Sequence, residues 1–195
     1  MKKQAEAIIP TPWGEFNMIA FAEKEEEWMP HLALVHKSCD ITAGPVLTRV
    51  HSECITGDLF GSKRCDCGEQ LTMALKMTAE QGGIVLYLRQ EGRGIGIINK
   101  LKAYNLQDKG FNTVDANLHL GLERDARQYD IAVEMLVSLG IFEIKLLTNN
   151  PEKIEAFEKG PVTVTDRIPI IIQPNEDNWG YLKTKQDEMG HLFKL

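Results

Sequence analysis

Residues 68–90 read GEQLTMALKMTAEQGGIVLYLRQ, and this stretch decides the fold. Its first part has the apolar spacing of an amphipathic helix, with one face that carries Leu71, Ala74, Leu75 and Thr78. The pair Gly82-Gly83 ends this helix, and residues 84–90 follow as a short apolar run that predicts a buried strand. A helix joined at once to a buried strand favours an α/β protein.

On both sides of this stretch, strand-like and helix-like segments alternate. Further strands are predicted at 15–21, 31–36, 46–53 and 143–149, and in VTVTD (162–166) and IPIII (168–172). Further helices are predicted at 95–107, after a polar loop at 128–139, from Pro151 onward, and in the tail 178–195. The expected fold is α/β, a mixed β-sheet flanked by helices, with an N-terminal antiparallel hairpin region around the acidic run Glu23–Glu27.

The composition is that of an ordinary soluble globular protein. The chain has 195 residues, of which 43% are hydrophobic and 26% charged. Its net charge of −6 argues against a nonspecific nucleic-acid binder, which needs a basic face, but leaves a nucleotide substrate possible. The N-terminus lacks the apolar run of a signal peptide, and no stretch approaches the roughly 20 apolar residues of a membrane span. The expected location is therefore cytoplasmic, with no membrane or nucleic-acid partner.

Three cysteines are spaced as metal ligands. Cys54, Cys65 and Cys67 form the pattern C-x10-C-x-C, and cytoplasmic cysteines that cluster are more often ligands than disulfides. Three thiolates and a water make a catalytic zinc site, in which the metal lowers the pKa of that water. A closed structural site completed by Cys39 or His51 is an alternative, and so is the absence of any metal.

The segment RQEGRGIGIINK (89–100) joins a predicted strand to a predicted helix, a place where α/β proteins bind phosphate. Arg89 and Arg93 add guanidinium groups that match phosphate oxygens, and Glu91 offers acceptor oxygens to a base or ribose. The segment lacks the full G-x-G-x-x-G and Walker patterns, so an ordinary tight turn is the alternative.

Two later segments also carry candidate polar groups. LGLERDARQYD (120–130) brings Arg124, Asp125 and Arg127 together. The alternative interpretation of this segment is a solvated helix start with Asp as its N-cap. TNNPEK (148–153) offers Thr148 and Lys153 at a strand-to-helix junction, where simple capping by an Asn is the alternative.

Together these segments resemble the GTP cyclohydrolase II family, over nearly the whole chain. The resemblance lies in RVHSECITGD (49–58), SKRCDCGEQL (62–71), RQEGRGIG (89–96), NLHLGLERDARQYD (117–130), LLTNNPEK (146–153) and YLKTKQDEMGH (181–191). It implies that residues 1–195 are a single domain of this family with a C-terminal helical tail from about 176. The family also occurs fused to a dihydroxybutanone phosphate synthase domain, and this chain resembles the stand-alone form.

The resemblance implies a role for each matching residue. Cys54, Cys65 and Cys67 match the zinc ligands. The matches to GTP contacts are Arg49, Val50, His51, Ser52, Glu53, Gln70, Glu91, Gly92, Arg93, Thr113, Thr148 and Lys153. The catalytic matches are Asp125 as proton acceptor, Arg127 as nucleophile and Tyr104 as the catalytic tyrosine. A purely electrostatic role for Arg127 is the alternative, because a guanidinium loses its proton with difficulty.

The implied activity is zinc-dependent hydrolysis of GTP, the first step of riboflavin biosynthesis. The imidazole ring opens with release of formate, and pyrophosphate is cleaved off, to give 2,5-diamino-6-ribosylamino-4(3H)-pyrimidinone 5′-phosphate. The family implies one catalytic Zn²⁺ per subunit, Mg²⁺ with the triphosphate, and a homodimer. Alternatives are an enzyme that stops at the formylated product, one that removes only pyrophosphate, and a nucleotide-binding module without chemistry.

Overall fold

The computed structural model describes residues 1–192, and the described part contains one seven-stranded mixed sheet. The strands are β1 (Lys2–Thr11), β2 (Gly14–Ala22), β3 (His31–His36), β4 (Val46–Ser52), β5 (Gly83–Leu88), β6 (Glu143–Leu147) and β7 (Thr163–Ile168). Their order is β1-β2-β3-β5-β4-β6-β7. The first three strands and β5 pair antiparallel, whereas β5, β4, β6 and β7 are parallel to one another. The expected α/β fold is confirmed, and so is the hairpin around the acidic run, because β2 pairs antiparallel with β3.

Helices cover this sheet and connect its parallel strands. They are α1 (Ile55–Asp58), α2 (Cys67–Gln81), α3 (Gly96–Gln107), α4 (Thr113–His119), α5 (Asp130–Ser138), α6 (Pro151–Glu158) and α7 (Trp179–Asp187), with a 3₁₀ turn at Glu91–Gly94. None of the helices in the described part is long and apolar enough to cross a membrane. The helix predicted for the tail ends at Asp187, and residues 193–195 of that prediction lie outside the described residues.

The central strand β5 is buried on both faces, as its apolar run predicts. Ile84 and Leu86 point into the larger core, which includes the apolar face of α5. Val85 points the other way, against Ala74 and Leu75 of α2. The sheet is therefore a middle layer between two apolar cores, and its strand ends remain available for a site.

Four local predictions were wrong or incomplete. The first strand, β1, was not predicted, because most of its side chains are exposed and its apolar residues do not alternate regularly. IPIII is not a strand: beyond Ile168, the side chain of Asn149 holds the backbone of Ile170 and takes the place of a strand partner. The polar loop expected before residue 128 contains α4, a short helix capped by Asn112. No helix starts at Asp125, which lies in an irregular segment.

Candidate active site

The candidate site lies where β4, β5 and β6 end. These strands are parallel and in register, with Ser52 beside Leu88 and Thr48 beside Leu146, so their carboxyl ends meet at one edge of the sheet. Ligands of open α/β sheets bind at this edge. The segments that carry the cysteines, the glycine-rich turn and the TNNPEK junction each leave the sheet there, and this topology brings distant motifs together.

The three predicted cysteines form one cluster. Their sulfur atoms all lie within 4.8 Å of one another, and Cys54 Sγ is 3.6 Å from Cys65 Sγ. Zn–S bonds of about 2.3 Å in a tetrahedral site put sulfurs roughly 3.8 Å apart, so this donor set fits zinc. Neither Cys39 nor His51 belongs to the cluster, and Cys39 lies beside Gly82 at the start of β5. The geometry thus favours three protein ligands with a fourth position open.

A buried lysine contacts this cluster. Lys100 Nζ lies 3.1 Å from Cys54 Sγ and 2.8 Å from Glu91 Oε1. The other oxygen of Glu91 accepts a hydrogen bond of 2.5 Å from the backbone N–H of Ile55, at the start of α1. Hydrogen bonds from Cys65 and Cys67, together with the nearby ammonium of Lys100, lower the pKa of Cys54. A thiolate at this position is the form that binds a metal.

Asp58 organises the turn that carries Cys54. Its carboxylate accepts hydrogen bonds from the Cys54 backbone N–H (2.9 Å) and the Tyr87 hydroxyl (2.9 Å), and it lies 3.0 Å from His51 Nε2. Burial lowers the pKa of His51, which keeps the imidazole neutral and makes Nε2 the donor to Asp58. The first cysteine is therefore held by a buried hydrogen-bonded network.

The cluster opens into a first cavity of about 610 Å³, part of which is open to solvent. Its lining includes the three cysteines, Ser52, Glu53, Glu91, Gly92, Arg93, Lys100, Tyr104, Thr113, Arg127 and Tyr181. Tyr104 follows Lys100 by one turn of α3, and burial raises the pKa of its hydroxyl, so this group stays protonated at neutral pH. The first cavity thus combines possible metal ligands with a proton donor and a carboxylate.

The glycine-rich turn aims Arg93 at the site through unusual backbone geometry. Gly92, Arg93 and Gly94 all have positive φ, and Arg93 (φ 62°) is the one non-glycine residue of the described chain that does. Its terminal nitrogens Nη1 and Nη2 are buried, and no hydrogen-bond partner for them lies within the described residues. A buried guanidinium without a partner among the described residues is available to an anionic ligand.

Asp125 and Arg127 form a tight ion pair beside this turn. Arg127 Nε lies 2.8 Å from Asp125 Oδ1, and Nη2 also contacts Oδ2. Burial disfavours the charged carboxylate, but the hydrogen bonds from Arg127 lower the pKa of Asp125 overall. The backbone N–H of Ala126 donates to the carbonyl of Arg93 (3.0 Å), so the two segments that carry these arginines are joined.

A second cavity of about 550 Å³ adjoins the first. It is lined by Arg49, His51, Ser52, Cys67, Gln70, Arg93, Arg127, Thr148, Asn149, Asn150, Lys153, Tyr181, Lys185, Met189 and His191. Lys153 Nζ donates to the Val50 carbonyl (2.7 Å), and burial lowers its pKa well below the usual value, with Arg49 and Arg127 adding to the effect. A cavity so rich in cations suits a ligand with several negative charges.

The structure places most of the predicted residues around these two cavities. Arg49 bonds to the Gln70 side chain (2.5 Å), and both line the second cavity. Glu53 lines the first cavity and pairs with Arg89 (3.2 Å). Val50 differs, because its side chain is fully buried in the core and only its carbonyl reaches the site. Asn150 caps α6, as the alternative interpretation of TNNPEK predicts. Thr148 and Lys153 of the same segment also line the second cavity.

Several residues of the site were not predicted. Lys100 could have been found, since it lies four positions before Tyr104 on one face of a predicted helix. Asp58 is four residues beyond Cys54, but only the short helix α1 turns it back toward His51. Tyr181, Lys185 and His191 reach the site from the far end of the chain. They lie in YLKTKQDEMGH (181–191), one of the segments that resemble the family, but no role was predicted for them.

Comparisons with known proteins show the family of this chain. The pattern of the GTP cyclohydrolase II family matches residues 2–169. The GTP cyclohydrolase-2 of Shewanella halifaxensis is 48% identical over 194 residues, covering 99% of this chain and 92% of that protein. The GTP cyclohydrolase-2 of Escherichia coli is 50% identical over 195 residues, covering 99% and 98%. The riboflavin biosynthesis protein RibBA of Chlorobium phaeovibrioides is 49% identical over 194 residues, covering 99% of this chain and 47% of that protein.

Proposed function

The chain belongs to the GTP cyclohydrolase II family, and from this premise we propose that it hydrolyses GTP at two places. Opening of the imidazole ring releases formate, and cleavage of the triphosphate releases pyrophosphate. The product is 2,5-diamino-6-ribosylamino-4(3H)-pyrimidinone 5′-phosphate, and the reaction is the first step of riboflavin biosynthesis.

One observation carries this proposal: the cysteine cavity and the cation-rich cavity share a wall. Both cavities are lined by Ser52, Cys67, Arg93, Arg127 and Tyr181. A ligand that fills both needs a group for the metal site at one end and several negative charges at the other. A purine nucleoside triphosphate has this form, with its base and its phosphates separated by a ribose.

At the base, Cys54, Cys65 and Cys67 are proposed to hold one Zn²⁺. A zinc ion with an open position lowers the pKa of water and supplies a nucleophile near neutral pH. Glu91, which is fixed by Lys100 and the Ile55 N–H, offers a carboxylate to the substrate. Tyr104 holds a proton that it can donate to the opening ring.

At the triphosphate, positive charge is proposed to come from Arg49, Arg93, Arg127, Lys153 and a Mg²⁺ ion. The unsatisfied guanidinium nitrogens of Arg93 support this role. Binding of phosphate would also favour the charged form of Lys153, whose pKa is lowered by burial. Gln70, Thr148 and Thr113 are proposed as neutral hydrogen-bonding contacts to GTP, as are the backbone of Val50 and Gly92 and the side chains of His51 and Ser52. The carboxylate of Glu53, which pairs with Arg89, is proposed as a further contact.

Arg127 can act at the phosphates either electrostatically or as a covalent nucleophile, and its ion pair with Asp125 affects both roles. Burial opposes the charge of Arg127, but Tyr129 and Asp125 hold its pKa above the usual value. A protonated guanidinium stabilises developing negative charge, which supports an electrostatic role. A covalent role requires Arg127 to lose a proton first, and Asp125 is the carboxylate in place to accept it.

Other parts of the proposal follow from the family resemblance. They are a single domain over residues 1–195 with a helical tail from about 176, a homodimer, and a cytoplasmic location without nucleic-acid or membrane partners. The net charge of −6 supports the absence of a nucleic-acid partner.

The decisive experiment follows formate, pyrophosphate and the pyrimidine product from GTP in the presence of Zn²⁺ and Mg²⁺. The Cys54→Ser variant should lose bound zinc and lower formate release by roughly 100-fold or more, since even outer contacts of a metal change activity about 10- to 100-fold. Cys39→Ser, outside the cluster, should match the wild type. Formate release at the wild-type rate by zinc-free Cys54→Ser would remove zinc from the mechanism. A formylated product from the wild type would contradict the proposed product.

A further inference from the structure

Arg64, which directly precedes the second cysteine of the cluster, packs against the proposed proton donor. Its guanidinium carbon lies 5.1 Å from the centre of the Tyr104 ring. A cation within about 6 Å of an aromatic ring is attracted to the ring face. Arg64 belongs to the segment SKRCDCGEQL (62–71), but the family resemblance implies no role for it. Its contact with Tyr104 therefore indicates a role that the sequence does not.

A second contact ties the same guanidinium to the helix that carries Tyr104. Arg64 Nη2 donates a hydrogen bond of 2.8 Å to Asp108 Oδ1. Asp108 is the C-cap of α3 and follows Tyr104 by four positions, about one helical turn. The two side chains of the ion pair are 43% and 56% exposed, and pairs this exposed add little to folding stability. The pair therefore matters more for the position of the guanidinium than for the stability of the fold.

The hydroxyl end of Tyr104 lies near the cysteine cluster. The hydroxyl forms a hydrogen bond with the side chain of Thr56, and Thr56 Oγ1 lies 3.6 Å from Cys54 Sγ. Lys100 Nζ, which contacts the same sulfur, is 5.8 Å from the centre of the Tyr104 ring. Tyr104 thus contacts residues that adjoin both the first and the second cysteine.

Arg64 acts from outside the cavity that holds the cysteines. It is not part of the lining of the first cavity, whereas Tyr104 is. It lines instead a neighbouring pocket of about 1000 Å³, partly open to solvent, which shares Gln107, Thr113 and Tyr181 with the first cavity. An arginine at this place does not face a ligand in the first cavity, so its effect there passes through Tyr104.

We propose that Arg64 is a positioning residue, which holds the Tyr104 ring in the orientation that presents its hydroxyl to the ligand of the first cavity. The role of Tyr104 as proton donor rests on the proposed function. A tyrosine side chain on a helix has more than one allowed rotamer, and a group fixed against its ring selects one of them. Asp108 fixes the guanidinium, and the guanidinium in turn restricts the ring.

The first test measures steady-state formate release from GTP by zinc-loaded variants of the full chain. Arg64→Met should lower kcat by about tenfold, because small misplacements of reacting groups cost up to about 100-fold. KM for GTP and zinc content should match the wild type, since Arg64 is proposed to contact neither. Arg64→Lys should recover most of kcat, because it keeps a cation over the ring. A wild-type kcat in Arg64→Met, or a loss of zinc, would overturn the inference.

The second test observes the ring without turnover. A meta-fluorinated tyrosine at position 104 gives a fluorine NMR signal, which in Arg64→Met should broaden or split because the ring samples several orientations. Removal of a nearby charge alone would only shift a narrow line, and that result would also overturn the inference. Lys63→Met is the matched control, because Lys63 is exposed and precedes Arg64, and it should leave the signal and kcat unchanged. A broadened signal in Arg64→Met, combined with no formate release by the wild type, would refute the proposed function alone.

Discussion

Lys100 is the residue that joins the cysteine cluster to Glu91, the carboxylate proposed to contact the substrate. It is 9% exposed, and its ammonium contacts a thiolate sulfur on one side and Glu91 on the other. A zinc ion with three thiolates carries a net negative charge, which a buried ammonium compensates. The ion pair with Lys100 also fixes the position of Glu91. One lysine therefore contacts both the cysteine cluster and the carboxylate that line the first cavity.

Replacing this lysine should therefore affect metal binding and ring opening together. We expect Lys100→Met to weaken zinc binding by about 10- to 100-fold, measured by competition with a chromogenic chelator, and to lower formate release by a similar factor. Lys102→Met is the matched control, because Lys102 is exposed on the same helix and should behave like the wild type. Unchanged zinc affinity in Lys100→Met would show that the contact with Cys54 does not stabilise the metal site.

At the scale of elements, the glycine-rich turn and the segment with Asp125 and Arg127 touch through their backbones. A Cβ atom on Gly94 would meet the carbonyl oxygen of Ala126 at 2.9 Å. A Cβ atom on Gly96, which also has positive φ, would meet nothing within 4 Å. An alanine at either position strains the left-handed backbone, but only an alanine at position 94 also disturbs the contact with Ala126. Comparing the two substitutions therefore distinguishes the two effects.

We expect Gly94→Ala and Gly96→Ala to differ in activity more than in stability. Both should lose about 1–2 kcal/mol of unfolding free energy from the left-handed conformation, seen as lower thermal midpoints. Only Gly94→Ala should displace Arg127, and its pyrophosphate release from GTP should fall at least about tenfold, since small misplacements cost up to 100-fold. Equal rates of pyrophosphate release in the two variants would show that this backbone contact does not position Arg127.

Elements with a strong periodic pattern could be predicted from the sequence, and elements held by distant partners could not. The helix α2 and the strand β5 were predicted because their burial follows from their own residues. The run IPIII is as apolar as a strand, but its conformation depends on Asn149, about twenty positions earlier. The helix α4 is only seven residues long and depends on a polar cap, so its apolar signal is weak.

The residues of the site also fall into those that a local pattern predicts and those that depend on distant partners. The cysteine cluster was predictable, because its spacing alone limits the chemistry. The contact between Lys185 and Asp66 spans 119 positions, and only the packed sheet brings the two together. The side chain of Val50 points into the core because neighbours along a strand face opposite sides, a consequence of strand geometry that motif matching ignores.

At the scale of the whole molecule, the cysteines join the end of β4, a strand of the sheet, to the start of α2, a helix that packs on the sheet. A metal held by all three thiolates would bind the folded chain more tightly than the unfolded one, so it should add to overall stability. Binding contributes about 4 kcal/mol when free metal is 1,000 times its dissociation constant.

Removal of zinc should therefore lower the thermal midpoint of the protein by several degrees, and added Zn²⁺ should restore it, as measured by calorimetry with and without a chelator. Cys54→Ser should have a lower midpoint that no longer responds to the chelator, whereas Cys39→Ser should respond like the wild type. A wild-type midpoint that is the same with and without chelator would mean that the cluster does not couple metal binding to folding.

The shared wall of the two cavities also matters for inhibitor design. A metal-chelating fragment for the cysteine cavity and a phosphonate fragment for the cation-rich cavity would each bind weakly alone. Joined by a linker about as long as a ribose, the second fragment would bind at a high effective concentration once the first is in place, and the combined affinity would exceed either part by orders of magnitude. Arg93 and Arg127 line both cavities where such a linker would pass, so the compound would use contacts that are proposed for the substrate.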